Sequence, residues 1–280
     1  MRLIRLANWV KLGICLLAAV HCSGAMAADA ASGLDPAAVS GAEGTPEDST
    51  RSALEMGREA LRVKDYTAAY LSLRSAAERG DAQAQAALGG MYLAGQGVDA
   101  DDAEAVGWYR KAADQGNTDA QVNLGLMYAN GRGAARDDGV AVEWFRLAAQ
   151  TEDAAAQSYL AVMYLDGRGV EKNEAEAAKL LRMAARHGDT QAQVNLGVML
   201  LNGQGVEQDA ADAAQWFLPA AEQGNALAQY YLGVAFAQGR GVNQDSEQAV
   251  KWLTSAALQG LSLANDYLRA NGNIIVKSGN

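Results

Sequence analysis

The sequence predicts an all-α fold, an α/α superhelical solenoid of helix-turn-helix repeats. Three observations predict it. Landmark residues recur every 36 positions, each repeat holds two stretches whose apolar residues have helical spacing, and glycine pairs separate these stretches. Because one such pair of helices cannot bury its apolar side alone, we expect the pairs to stack on one another.

Four landmarks share this register. Leu-Gly or Leu-Ala pairs begin at positions 88, 124, 160, 196 and 232, and Gly-x-Gly triplets begin at 95, 131, 167, 203 and 239. Tryptophan stands at 108, 144, 216 and 252, with leucine at 180, and Ala-Ala pairs begin at 112, 148, 184, 220 and 256. Chance does not explain four independent landmarks that keep one step.

The repeat that begins at Asn117 illustrates how each unit is built. Ala120, Leu124 and Tyr128 lie four residues apart, on one face of a first helix. A glycine pair then ends that helix, and the acidic pair 137–138 caps a second helix. Four units close on glycine, at 116, 188, 224 and 260, whereas this one has Glu152. We therefore expect a strained or rebuilt turn at Glu152.

The first 27 residues have the features of a secretory signal peptide. Three basic residues precede an apolar stretch over 12–20, and residues 25–27 read Ala-Met-Ala, a small-x-small cleavage site. The apolar stretch is about half as long as a membrane-spanning helix requires. We expect cleavage before Ala28, no stable membrane insertion, and a periplasmic or secreted protein.

The rest of the chain divides into a linker, a repeat region and a tail. Residues 28–50 are rich in Ala, Gly, Ser, Asp and Pro and are expected to be a disordered linker. The solenoid is expected over 51–270. It comprises a degenerate helical pair over 51–80, five full repeats over 81–260 and a capping helix over 261–270, followed by a C-terminal tail over 271–280.

Charge and cysteine usage exclude several classes of function. The chain has 23 basic and 33 acidic residues, a net charge of −10, and loss of the three basic residues of the leader makes it −13. Nucleic acids and anionic membrane surfaces would be repelled. Cys15 and Cys22 both lie in the leader, so the predicted mature protein has neither a disulfide framework nor a cysteine nucleophile.

The motif Ala-x-x-x-Leu-Gly-x-x-Tyr-x-x-Gly-x-Gly-Val, followed by Ala-x-x-Trp-Tyr/Phe-x-x-Ala-Ala, resembles the Sel1-like repeat, a relative of the tetratricopeptide repeat. The resemblance covers 81–260. It implies an adaptor or scaffold for protein complexes, and exported bacterial members are associated with envelope assembly, exopolysaccharide export and host contact. One branch linked to β-lactamase activity carries a disulfide in each repeat, which this sequence lacks.

Catalytic and cofactor sites are not expected. His187 is the one histidine of the predicted mature chain and is expected to cap a helix. No Gly-x-Ser-x-Gly nucleophile elbow occurs. The Gly-x-Gly pairs follow helices rather than strands, which indicates caps rather than a nucleotide site. We expect no catalytic residue, no metal and no cofactor.

Two further sets of repeated residues are expected to be structural. The tryptophans occupy equivalent positions, which favours packing between units. A glutamine is identical in all five repeats, at 85, 121, 157, 193 and 229, and is expected to form a structural hydrogen bond.

Partner-binding residues are expected where the repeats differ. Two rows of variable, mostly uncharged residues lie seven positions apart on the first helix of each repeat, hence on one face. They are Asn123, Tyr159, Asn195 and Tyr231, and Asn130, Asp166, Asn202 and Gln238, with Ala87 and Ala94 in the first repeat. Amides and tyrosines in a concave groove suit an extended peptide or a glycan. The alternative is a merely solvated helix face.

The sequence therefore predicts an exported, non-enzymatic adaptor that binds a protein or peptide partner in the groove. The main alternative is a module that binds cell-wall or exopolysaccharide glycans. A β-lactam hydrolase is a less favoured third possibility.

Overall fold

A computed structural model describes residues 46–277 of the chain, and within this range it contains thirteen α-helices and no strand. The predicted all-α fold is confirmed. The predicted signal peptide and residues 28–45 of the predicted linker lie outside the described residues. In chain order the helices are α1 (Pro46–Arg62), α2 (Tyr66–Glu78), α3 (Ala82–Ala94), α4 (Asp102–Asp114), α5 (Thr118–Asn130), α6 (Asp138–Ala149), α7 (Ala154–Asp166), α8 (Glu174–Arg186), α9 (Thr190–Asn202), α10 (Ala210–Glu222), α11 (Ala226–Gln238), α12 (Ser246–Leu258) and α13 (Ser262–Lys277).

Both ends of the repeat region differ from the predicted boundaries. Helix α1 begins at Pro46, so the last five residues of the predicted linker are helical. Proline suits the first turn of a helix, because the N–H that it lacks would have no partner there. Helix α13 continues to Lys277, well beyond the predicted end of the capping helix at residue 270.

The described residues form two compact units, one up to Lys111 and one from Ala112. In the first unit, α1 packs against α2, and α2 against α3. Its core contains Leu54, Leu73, Leu88 and Met91 among small alanines. The exposed faces of this unit still carry Met56, Val63 and Leu71.

The second unit contains four helix pairs, α5 with α6, α7 with α8, α9 with α10 and α11 with α12, and then α13. Each helix from α5 to α13 packs against its neighbours in sequence, which is the arrangement of an α/α solenoid. We call the contact between two consecutive repeats a seam. Alanines at the seams are fully buried, including Ala120, Ala156, Ala192 and Ala228. Their small side chains let adjacent helices approach closely.

The two glycines of each Gly-x-Gly triplet have different structural roles. The first adopts the left-handed conformation that ends a helix, with φ between 64° and 67° at 131, 167, 203 and 239. The second packs directly on the preceding repeat. A Cβ at Gly169, Gly205 or Gly241 would overlap backbone atoms of Asp138, Glu174 or Ala210, where the second helix of the preceding repeat begins. Only glycine permits this contact.

In four of the five repeats the glutamine joins consecutive helices as expected, and Gln157 is the exception. The side chain lies in the first helix of a pair and donates to a carbonyl in the last turn of the preceding helix. The bonds are Gln85 to Ala77 at 3.0 Å, Gln121 to Ala113 at 3.2 Å, Gln193 to Ala185 at 3.2 Å, and Gln229 to Ala221 at 3.1 Å. Each of these carbonyls also accepts the N–H of the glycine three residues later, so the glutamine side chain supplies a second hydrogen bond to the same oxygen.

The tryptophans are less buried than their predicted role in packing requires. Trp108, Trp144, Trp216 and Trp252 are all half-buried. The residue that follows each tryptophan is buried: Tyr109, Phe145, Phe217 and Leu253. In the repeat without tryptophan, Leu180 and Leu181 are both buried. One step along a helix turns a side chain by about 100°, so the core stripe passes through the second position. The tryptophans cover the edge of the seam.

An ion pair crosses the seam between the α5–α6 repeat and the α7–α8 repeat. The Asp138 carboxylate lies 2.7 Å from the guanidinium of Arg136 and 2.7 Å from that of Arg168, which also donates to the Ala129 carbonyl at 3.0 Å. Burial raises the pKa of Asp138, but the hydrogen bonds from the two arginines outweigh it, so the net pKa lies below the ordinary value.

Replacement of Gly205 by alanine should lower the free energy of unfolding by about 3 kcal/mol, because the new Cβ overlaps the Glu174 backbone and φ stays positive. Gly188→Ala is the matched control, since its φ is +88° but nothing lies within 4 Å of the added Cβ. Strain alone should cost about 1 kcal/mol there. Urea unfolding measures both variants, and equal losses would contradict the close backbone contact.

Replacement of Asp138 by asparagine should lower the free energy of unfolding by about 1 kcal/mol at pH 7. A carboxyl whose folded pKa is lowered stabilises the fold above its unfolded pKa of about 4. That contribution disappears as the pH falls from about 4 through the lowered folded pKa. The free energies of unfolding of the wild type and of Asp138→Asn should therefore become equal as the pH falls through this window. The exposed Glu143→Gln on α6 is the control, and a gap that persists in acid would refute the assignment.

Candidate functional site

The predicted binding residues lie on the first helices of the four pairs in the second unit, α5, α7, α9 and α11. We call Asn123, Tyr159, Asn195 and Tyr231 the mid-helix row, and Asn130, Asp166, Asn202 and Gln238 the terminal row. Both rows lie on one face of their helices, because residues seven apart complete two turns. We call this surface the ladder face. Ala87 and Ala94 hold the equivalent positions on α3, in the first unit.

The terminal row is exposed to solvent. Each member is the last residue of its helix, directly before the left-handed glycine that caps it. A carboxylate at this end of a helix opposes the helix dipole, so Asp166 does not serve the stability of α7. The terminal row is thus accessible from solvent, and its role in binding a partner stays a prediction.

The tyrosines of the mid-helix row, predicted to bind a partner, pack across the seams between repeats. Tyr159 is only 8% exposed, and its ring stacks on Phe145 at 5.3 Å between centroids. Tyr231 is half-buried and stacks on Phe217 at 5.0 Å. Burial is the main cause that raises the pKa of Tyr159, and it raises that of Tyr231 to about 12.

Residue size explains where the tyrosines occur. A Cβ on Gly125 would lie 2.6 Å from the Phe145 ring, and one on Gly197 would lie 2.5 Å from the Phe217 ring. Each phenylalanine is therefore held between a glycine of its own repeat and a tyrosine of the next. In the α7–α8 repeat, Ala161 and Leu181 replace the glycine and the phenylalanine, and the next repeat has Asn195 instead of tyrosine.

The asparagines of the mid-helix row are half-buried and bound within their own helices. Asn123 Nδ2 donates to the Asp119 carbonyl at 2.9 Å, and Asn195 Oδ1 accepts from Gln191 Nε2 at 3.0 Å. Each amide commits one of its two polar groups in this way. An amide has both a carbonyl oxygen and an NH2 group, so each side chain retains a second polar group of the other kind.

The ladder face also contains an aliphatic row that the sequence reasoning missed. Leu126, Val162, Val198 and Val234 are half-buried, three positions after the mid-helix row and four before the terminal row. Helical geometry therefore places them between the two rows. The sequence does carry a signal for them, because the second residue after the landmark leucine is aliphatic in each of these four repeats.

Charge is almost absent from these helices. Across α5, α7, α9 and α11 the charged residues are Asp119 and Asp166, and α9 and α11 have none. The second helices carry more charge. Helix α8, for example, has two acidic residues, Glu174 and Glu176, and three basic residues, at 179, 182 and 186. The ladder face thus combines amides, two tyrosines and half-exposed aliphatic groups.

The described residues contain no metal-binding cluster and no membrane-spanning helix. Among residues 46–277, no group of three or more His, Cys, Asp or Glu side chains is placed to hold a metal ion. His187 is exposed and forms the C-cap of α8, as predicted. No helix within the described range is long and apolar enough to cross a membrane.

Comparison with known proteins identifies the repeats. The family model of the Sel1 repeat matches residues 82–117, 118–150, 154–189, 190–225 and 226–261. The short second match ends just before the turn that contains Glu152. No curated protein matches the chain.

Two solved structures have closely similar folds. A protective antigen of uropathogenic Escherichia coli strains, which displays an SLR fold, is 35% identical over 80% of this chain, with a TM-score of 0.77. This chain spans about half (49%) of that protein's length. A Sel1 repeat protein from Oxalobacter formigenes is also 35% identical, over 76% of this chain and 84% of its own, with a TM-score of 0.70.

Tyr159→Ala should lower the free energy of unfolding by about 3 kcal/mol, because it removes a buried ring from the seam. Tyr159→Phe keeps the stacked ring and should retain most of the stability. Asn202→Ala, in the exposed terminal row, should change it by less than about 0.5 kcal/mol. Thermal unfolding of the three variants tests whether Tyr159 stabilises the fold while Asn202 does not. A Tyr159→Ala variant that unfolds like the wild type would contradict the packing role of Tyr159.

Proposed function

Because the chain belongs to the Sel1-repeat family, we propose that it is an exported, non-enzymatic adaptor that binds a segment of a protein partner along the ladder face. Sel1-repeat solenoids generally act as scaffolds for protein interactions. One observation carries the proposal: a half-exposed surface that is nearly free of charge continues over four repeats of an acidic protein. An ordinary solvated face would carry charges, as the second helices do.

The residue types of the ladder face suit an extended peptide segment. Amide groups of Asn123 and Asn195 can exchange hydrogen bonds with the main chain of the partner. The aliphatic row offers apolar contact to its side chains. The exposed terminal row can form the polar rim that surrounds such a contact.

Export is supported by the sequence of the leader and by one relative. Residues 1–27 have the charge pattern and cleavage site of a signal peptide. The relative from uropathogenic Escherichia coli is described as a protective antigen. A role in the cell envelope or in host contact is consistent with both.

A glycan is the second candidate ligand, favoured by the tyrosines at the C-terminal end of the ladder face. Tyr230 meets Tyr231 and Tyr267 edge to face, with centroid distances of 5.4 Å and 6.3 Å. All three rings are half-buried. Partly exposed aromatic rings beside amides can stack on sugar rings. The β-lactam hydrolase alternative gains no support from the described residues.

The proposal is tested by placing two positive charges on the ladder face, with Asn130→Arg and Asn202→Arg in one variant. Arginine at the end of a helix suits the dipole, so the fold should persist. The matched control, Gln215→Arg with Thr254→Arg, adds the same charge at exposed positions of α10 and α12. The ladder variant should bind its partner at least about tenfold more weakly, and the control should bind like the wild type.

Photo-crosslinking in the native host identifies the partner to be used in that measurement. A photoreactive residue at Asn202 should yield a discrete protein adduct that the same residue at Gln215 does not yield. An adduct composed of glycan would favour the second candidate. Equal binding by the ladder variant and its control would show that the partner binds elsewhere.

A further inference from the structure

The junction between α6 and α7, residues 150–153, departs from the other junctions of the second unit. Glu152 has φ of 62°, in the left-handed region, where the equivalent positions 188, 224 and 260 hold glycine with φ between 85° and 89°. A side chain in this conformation is strained because its Cβ crowds the backbone. Helix α6 is also one residue shorter than the other second helices of this unit.

The hydrogen bond that joins consecutive helices is missing at this junction. Gln157 is 0% exposed, yet within residues 46–277 neither its Nε2 nor its Oε1 has a hydrogen-bond partner. Its equivalents Gln121, Gln193 and Gln229 all donate to the preceding helix. A buried amide that has lost its hydrogen bonds to water without replacing them weakens the seam that buries it.

The contacts that replace this bond are peripheral. Thr151 Oγ1 donates to the Ala148 carbonyl at 2.8 Å and lies 3.3 Å from Thr118 Oγ1. Thr151 is exposed, so water competes for both contacts. They tie the turn to its surroundings.

The seam also keeps the stack of Tyr159 on Phe145 and the ion pair of Arg168 with Asp138. The following seam has an ion pair of its own, between Arg182 and Asp212, so the missing glutamine bond is what sets the α6–α7 seam apart.

We propose that the seam between α6 and α7 is the place where the second unit opens first. In a solenoid each repeat contacts only its neighbours, so a weak seam can open while those on either side stay closed. The opening separates Tyr159 from Phe145 and brings the Tyr159 hydroxyl, which is buried in the closed fold, to solvent. The chain thus contains a built-in hinge, independent of any partner.

Amide hydrogen exchange on the full chain tests this hinge. The amides of α7 should exchange about tenfold faster than those of α9, which has the same length and an intact glutamine bond. Glu152→Gly removes the strained conformation and should slow exchange in α7 several-fold. Exchange in α9 should stay the same in that variant.

Leucine substitutions at two equivalent glutamines provide the matched comparison. Gln157→Leu removes an unsatisfied buried amide and should slow exchange in α7. Gln193→Leu breaks the bond to Ala185 and should speed exchange in α9 by about tenfold. Equal exchange in α7 and α9 of the wild type would overturn the proposal. So would a faster-exchanging α7 in Gln157→Leu, because Gln157 would then form a bond that holds the seam.

Discussion

The close approach of one repeat's backbone to the next is the contact on which the second unit depends. Gly169, Gly205 and Gly241 each lie against the start of the second helix of the preceding repeat, with no space for a Cβ. This contact sets the spacing between repeats, and that spacing brings the glutamine side chains within reach of their carbonyls and the tyrosines onto the phenylalanines. The ladder face exists because these seams repeat in register.

Sequence reasoning predicted the features that follow from periodicity and failed where neighbouring residues share a pattern. The helix pairs, the glycine caps and the glutamine bonds follow from spacing alone. The core position assigned to the tryptophans was one residue off, because Trp144 and Phe145 are both large and repeat with the same period. The start of α1 at Pro46 was missed because Asp, Ser and Thr in its first turn also occur in linkers.

The alternation of asparagine and tyrosine in the mid-helix row shows that residues can vary between repeats because of packing, and not only because of ligand selectivity. Read along the sequence, a row that varies between units suggested selectivity for a ligand. In the fold, Tyr159 and Tyr231 follow the repeats that contribute Phe145 and Phe217, so the variation matches ring size across a seam. A linear sequence does not display which residue faces which, and this part of the site could not be predicted. The exposure of the terminal row could be predicted, because each of its members immediately precedes a recognisable helix cap.

The near absence of charge on α5, α7, α9 and α11 has a kinetic consequence. Long-range attraction accelerates encounters only where complementary charges face each other, and without it protein association rates fall to about 10⁵–10⁶ M⁻¹s⁻¹. An uncharged partner on the ladder face would arrive slowly, at a rate nearly independent of ionic strength. For such a partner, a tight complex therefore requires slow dissociation, because the association rate is fixed near that range.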